Sequence, residues 1–263
     1  MTAETTLLLV LLGLLAGGFG ALAGVGGGII ITPLLAIYFG LPMHQAIGVS
    51  LVCVIATSTA TSSLYVERHI TDIRLGMTLE LATTFGAMIA ALVAQHINRR
   101  TLALLFACFL LYSCLSMARK AWSKRTQEKE EEVLPDYQPQ NYPLGMGAAL
   151  IAGGFSGLLG IGGGPVKVPV MYLFMKVPLR VATATSNFMI GVTAATSAYV
   201  YWGRGDVAIA VAAPLVAGVF AGSLAGARFS ARVKPLYILL LLVAVTGWLA
   251  AEMILKLLSR GFR

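Results

Sequence analysis

The sequence predicts an all-α polytopic membrane protein made of two inverted repeats. Each repeat is a glycine-linked broken or re-entrant helix pair followed by three longer transmembrane helices. Three observations carry that prediction. The 263 residues are 58% hydrophobic and only 11% charged, whereas a soluble domain has about 25% charged residues. Apolar runs near the length of a bilayer span recur from end to end. The segment AGGFGALAGVGGG (Ala16–Gly28) also returns as AGGFSGLLGIGGG (Ala152–Gly164).

The long apolar runs are Leu7–Ala23, Ala46–Val66, Leu75–Ala94 and Leu102–Met117 in the first half. In the second they are Gly145–Leu159, Val181–Trp202, Val207–Ala227 and Leu236–Leu258. A span needs about 20 predominantly apolar residues, within roughly 17–25. None of these runs shows the charged stripe of a soluble amphipathic helix. The first run has no basic flank and Glu4 is its only charge, so it reads as an uncleaved first helix rather than a secretory signal.

An offset of 136 residues aligns the two glycine runs without gaps and also matches Pro33 with Pro169, Pro42 with Pro178, Ser50 with Ser186 and Tyr65 with Tyr201. The chain is therefore a duplication. Repeat 1 covers 1–118 and repeat 2 covers 144–263. Between them, 119–143 is a charged, proline-bearing linker that reads as a solvated loop. Within each repeat a short apolar piece follows the glycines (Ile29–Phe39 and Val166–Phe174). At roughly 18 Å of helical rise it cannot cross the hydrocarbon alone. It is either a half-helix that dips in and out or the second part of a broken helix.

With the linker on the cytoplasmic side and the repeats inverted, the inside loops hold most of the basic residues, among them Arg68, Arg74, Lys176, Arg180 and Arg228. The outside keeps Arg99, Arg100 and Arg204, with Lys256, Arg260 and Arg263 at the C-terminus. That excess fits the positive-inside rule, although a parallel arrangement shifts the tally by one residue. Parity favours inversion: a pair that returns to its own side plus three crossings is odd. The net charge of +8 thus follows from topology and requires no nucleic-acid partner.

Non-helical backbone inside a bilayer survives only when buried in protein or lining a polar cavity. Half-helix N-termini, with free N–H groups and a positive dipole end, suit an anion there. Gly26, Gly27 and Gly28, and Gly162, Gly163 and Gly164, stand immediately before the two short segments. Isolated glycines such as Gly13, Gly17, Gly218, Gly222 and Gly226 read as helix-packing positions. Lys167 follows the second glycine run where the first repeat has Ile31; it is a counter-ion for a bound anion or a lysine snorkelling to the interface. Ser50, Ser186 and Asn187 lie in polar stretches that open the third span of each repeat, and their groups suit either an oxyanion or interhelical bonding. Glu80 is the one acid well inside a span, a candidate proton acceptor for coupling or a carboxylate with a local partner. Asp72 and Asp206 read as matching helix N-caps.

Other chemistries find no support. Cys53, Cys108 and Cys114 fall in apolar runs without a CxxC pair and read as small buried hydrophobes; His44, His69 and His96 are scattered at span ends. No metal site or cofactor is expected. GIGGGPVKVP lacks the Gly-Lys-Ser/Thr end of a Walker loop. Without a His–Ser or paired-Asp constellation the chain does not read as an enzyme.

The repeated GxGGG-to-proline pattern, and above all GLLGIGGGPVKVP followed by RVATATSN, resembles the TauE/SafE family of membrane permeases over nearly the whole chain. The resemblance implies a carrier for small sulfur-containing anions, such as sulfite or organosulfonates, in a prokaryotic plasma membrane. The expected partners are the anion, the lipid bilayer and a coupling proton or sodium ion, with a homodimer left open. An anion channel, or a carrier of another small anion, is the alternative reading.

Overall fold

The computed structural model describes residues 3–124, 137–229 and 235–259, which form ten helices. Repeat 1 contributes α1 (Ala3–Ala23), α2 (Gly28–Ile37), α3 (Met43–Glu67), α4 (Ile73–Ala94) and α5 (Arg99–Lys124). Repeat 2 contributes α6 (Tyr142–Leu159), α7 (Gly164–Leu173), α8 (Leu179–Gly203), α9 (Ile209–Phe229) and α10 (Pro235–Leu258). Seven of them, α1, α3, α4, α5, α6, α9 and α10, are long and apolar enough to cross a membrane. The 25 residues of α8 also have the length, but its threonines, serines and Asn187 dilute its hydropathy. The linker expected over 119–143 is shorter at both ends, since 119–124 continue helix α5 and 142–143 open helix α6; residues 125–136 lie outside the described residues.

Solvent-facing chemistry is inverted relative to a soluble protein. Leu7, Leu11 and Leu15 on α1, and Met77, Leu81, Phe85 and Ile89 on α4, are exposed in helical register. Apolar faces of this extent belong against lipid. Cys108 shares such a face on α5 and is exposed, and Cys114 is only partly covered. Of the three cysteines expected to be buried, only Cys53 is.

Small residues decide which helices meet. A Cβ on Gly13, Gly218 or Gly222 would overlap the backbone of the facing helix in the α1–α9 pair, and one on Gly86, Gly153 or Gly157 would do so in the α4–α6 pair. Backbones at this separation gain dispersion contacts that larger side chains would prevent. The pairing is reciprocal: the first helix of each repeat packs on the fourth of the other. Both pairs run parallel, since Val10, Leu14 and Gly18 meet Gly218, Gly222 and Gly226 in the same order.

Helices α3 and α8, equivalent under the duplication, pack together at the centre. The Asp72 N–H, just past the end of α3, donates to Thr185 Oγ1 near the start of α8 at 3.0 Å. Conversely, a Cβ on Gly48 near the start of α3 would strike Asp206, just past the end of α8. The two equivalent helices therefore run in opposite directions.

Asp72 caps α4 as expected, accepting from Leu75 N–H at 2.9 Å. Asp206 does not cap α9. That helix begins at Ile209, its first bonds run to the Ala208 carbonyl, and Asp206 instead pairs with Arg204 at 3.0 Å. The end of the linker is tied down. Tyr137 donates to Asp72 Oδ2 at 2.6 Å and Asn141 Nδ2 to the Phe174 carbonyl at 3.0 Å. Burial and the neighbouring carboxylate push the Tyr137 phenol upward, so it remains a donor.

Candidate functional site

Each glycine run is a turn that sends the chain back on itself. Gly24, Gly26 and Gly27 have φ of 71°, 76° and 74°, and Gly160, Gly162 and Gly163 repeat them at 69°, 80° and 77°. Only glycine adopts this left-handed region without steric cost, so three positions per turn demand it. A Cβ on Gly27 would come 2.9 Å from the Ala16 carbonyl oxygen, and one on Gly163 equally close to that of Ala152. A straight broken helix would hold residues eleven apart well separated; here the chain folds back, as a re-entrant pair does. Gly27 and Gly163 are the left-handed N-caps of the ten-residue helices α2 and α7.

The two turns meet. A Cβ on Gly28 would overlap the Gly160 carbonyl oxygen, and one on Gly164 would overlap that of Gly24. In α2 the turn's bonds begin with Ile30 and Ile31 donating to the Gly27 carbonyl, and in α7 with Val166 and Lys167 donating to Gly163. The N–H groups before them, from Gly27 to Ile29 and from Gly163 to Gly164, have no partner in their own helix. Val54 and Ile190 fill the space beside Gly26 and Gly162, so the meeting point is closed by apolar side chains in this conformation.

The polar candidates divide into two groups. Ser50 donates to the Gly160 carbonyl at 3.0 Å and lies 3.4 Å from that of Gly28, so its hydroxyl fastens one turn to the other. Its equivalent Ser186 is fully buried and has no partner among the described residues, and neither polar atom of the Asn187 amide has one there. Asn187 stands one helical turn beyond Thr183, which packs on Gly24, and one turn before Ile190. It therefore belongs to the strip of α8 that faces the turns. Buried unsatisfied amides cost free energy, and native structures retain few of them.

Lys167 and Glu80, considered separately in the sequence, form one buried ion pair at 3.5 Å. The lysine ammonium also donates to Thr193 Oγ1 at 2.9 Å. Thr193 donates to Glu80 Oε1 at 2.5 Å and Thr83 to Oε2 at 2.7 Å. The Lys167 stem lies against the turn, its Cε 3.3 Å from where a Gly163 Cβ would stand. Sequence reading missed Thr83. The available signal was the presence of two opposite charges at membrane depth in a chain with almost no others. The duplication does not reproduce this cluster: Ile31, Val216 and Val219 occupy the positions of Lys167, Glu80 and Thr83, and only Thr57 matches Thr193.

Polytopic helical packing, two touching glycine turns and a buried ion pair beside one of them are features found in membrane transporters. Comparison with known proteins agrees. The sequence profile of the family "Sulfite exporter TauE/SafE" matches residues 9–253, and the chain belongs to that family. It is 29% identical to the "Probable membrane transporter protein YunE" of Bacillus subtilis, over 94% of this chain and 96% of the relative. It is 27% identical to the "Probable membrane transporter protein MJ0441" of Methanocaldococcus jannaschii, over 94% and 95%. No solved structure matches the chain at a significant level.

Proposed function

We propose that this transporter is a secondary carrier that moves a small sulfur-containing anion, such as sulfite or an organosulfonate, by alternating access across a prokaryotic plasma membrane. One observation carries the reading: two glycine turns touch at the centre of the molecule, each opening a short helix whose first N–H groups lack intrahelical partners. Such donors are dipoles fixed by the helix and suit an anion once the closed turns are opened to it. Ser186 and Asn187 supply further unengaged donors beside them, and Lys167 supplies charge. Ser50 acts on the turn itself. The family's name supports the sulfur oxyanion.

The opposed directions of α3 and α8 support inverted repeats, in which the halves exchange outward and inward conformations. Val54 and Ile190 then form the dry closure of an occluded state, and access requires α3 and α8 to part. Purified protein should be screened for thermal stabilisation by sulfite, methanesulfonate, thiosulfate, sulfate and acetate, then reconstituted for flux. Saturable flux with counterflow supports the carrier, and ohmic current without counterflow identifies a channel. Gly163→Leu, which places a large side chain on a left-handed residue, should abolish flux while the protein still inserts.

A further inference from the structure

The Glu80–Lys167 pair lies off the duplication's symmetry, so the two turns are not equivalent. We infer that Glu80 is a proton site that competes with the transported anion for the Lys167 ammonium, making the carrier an electroneutral proton–anion symporter with one charged centre per chain. The inference rests on the anion site proposed above and adds its coupling ion.

The geometry sets up the competition. Lys167 rises from the first turn of α7 with its stem on Gly163, so the same ammonium can face the turn or Glu80. In this structure it is held by Glu80 Oε2 and Thr193 Oγ1. Among the described residues no other ionisable side chain bonds to the pair. Between Arg74 and Gln95, α4 carries only Glu80; α8 carries none between Arg180 and Tyr199; α6 carries only Tyr142, in its first turn. On α7 the remaining ionisable side chain is Tyr172, more than a turn further along.

Charge balance dictates the cycle. With Glu80 ionised and Lys167 protonated the empty site is neutral, and a monoanion would add an uncompensated charge to a low-dielectric interior. A proton taken from the aqueous side to which the site is open neutralises Glu80. The Thr83 and Thr193 hydroxyls, which now donate to the carboxylate, can rotate to accept from the acid. The ammonium is then free to pair with the anion. Loaded and empty forms are both neutral, so both can pass through the closed state. The anion alone, or the proton alone, leaves a buried net charge and cannot.

The test uses full-length protein in proteoliposomes and methanesulfonate, which keeps one negative charge throughout the working pH range. Counterflow of methanesulfonate or sulfite is measured first; its absence for both removes the anion site, and this inference with it. Where counterflow is present, an acid-outside gradient with the membrane potential clamped should drive methanesulfonate inward. Accumulation should reach about tenfold per pH unit, as one proton per anion requires. Glu80→Gln should lose that accumulation and bind with an affinity that no longer varies with pH. Counterflow without gradient-driven accumulation in the unaltered protein, or unchanged accumulation in Glu80→Gln, overturns the inference. Should Glu80→Gln fail to fold, the unaltered protein decides alone: saturating anion added in weak buffer should be accompanied by uptake of about one proton per site, and binding without proton uptake overturns it.

Discussion

The Ser50 hydroxyl of the first repeat donates a 3.0 Å hydrogen bond to the Gly160 carbonyl of the second. The bond spans 110 residues of chain and ties α3 to the turn that opens α7. Both groups are fully buried, so leaving the carbonyl unpaired would cost about 1–3 kcal/mol. Ser50→Ala should lower the melting temperature by several degrees and slow transport, and Ser50→Thr should restore part of both. A melting temperature in Ser50→Ala equal to the parent's would remove the fastening role.

Contact between the turns makes a paired glycine prediction. Gly28→Ala places its Cβ on the Gly160 carbonyl oxygen, and overpacking of that kind costs about 1–3 kcal/mol. Gly154→Ala, on α6 with nothing within 4 Å, should be neutral or slightly stabilising. Thermal unfolding in detergent and flux in vesicles should separate the two variants. Equal behaviour would mean that the turns do not touch in the membrane.

Removing one partner of the buried ion pair should cost more than removing both. Lys167→Ala leaves the Glu80 carboxylate unpaired, a loss of about 3–5 kcal/mol, and raises the apparent substrate constant steeply. The double substitution Glu80→Gln with Lys167→Met should regain most of the stability but not the transport. Full transport in the double variant would show that the pair is structural only.

Asn187 separates binding from folding. Its equivalent in repeat 1 is Leu51, so Asn187→Leu replaces an unpaired buried amide with an apolar group of similar size. Stability should hold or rise, because no hydrogen bond is lost, while anion affinity falls about tenfold or more. Anion-induced thermal stabilisation measures both quantities in one experiment. Unchanged stabilisation would place the amide away from the anion.

Tyr137 anchors the linker end on Asp72 through a 2.6 Å bond. Tyr137→Phe removes a donor to a charged acceptor, worth about 1.5–3 kcal/mol. The loss should appear as faster proteolysis of the linker, with flux reduced less than stability. Linker cleavage at the parental rate would show that the phenol does not hold it.

The sequence alone established a membrane protein, its duplication and the places of the two glycine runs, because those features depend on composition and on residues adjacent in the chain. It left open whether each run breaks a helix or reverses it. Three left-handed glycines in each turn need no distant partner to explain them. Tertiary structure decided the rest. Lys167 and Glu80 are 87 residues apart, and only the packing of α4, α7 and α8 turns two isolated charges into a pair. Ser50 and Ser186 are equivalent in sequence, yet one fastens a turn and the other is unengaged, because their roles depend on what the opposite repeat brings to them. Local pattern also misled at Asp206, where an acid near a helix start pairs with Arg204 instead of capping α9. Duplication wrote the same backbone twice; the side chains that meet across its two copies made the halves unequal.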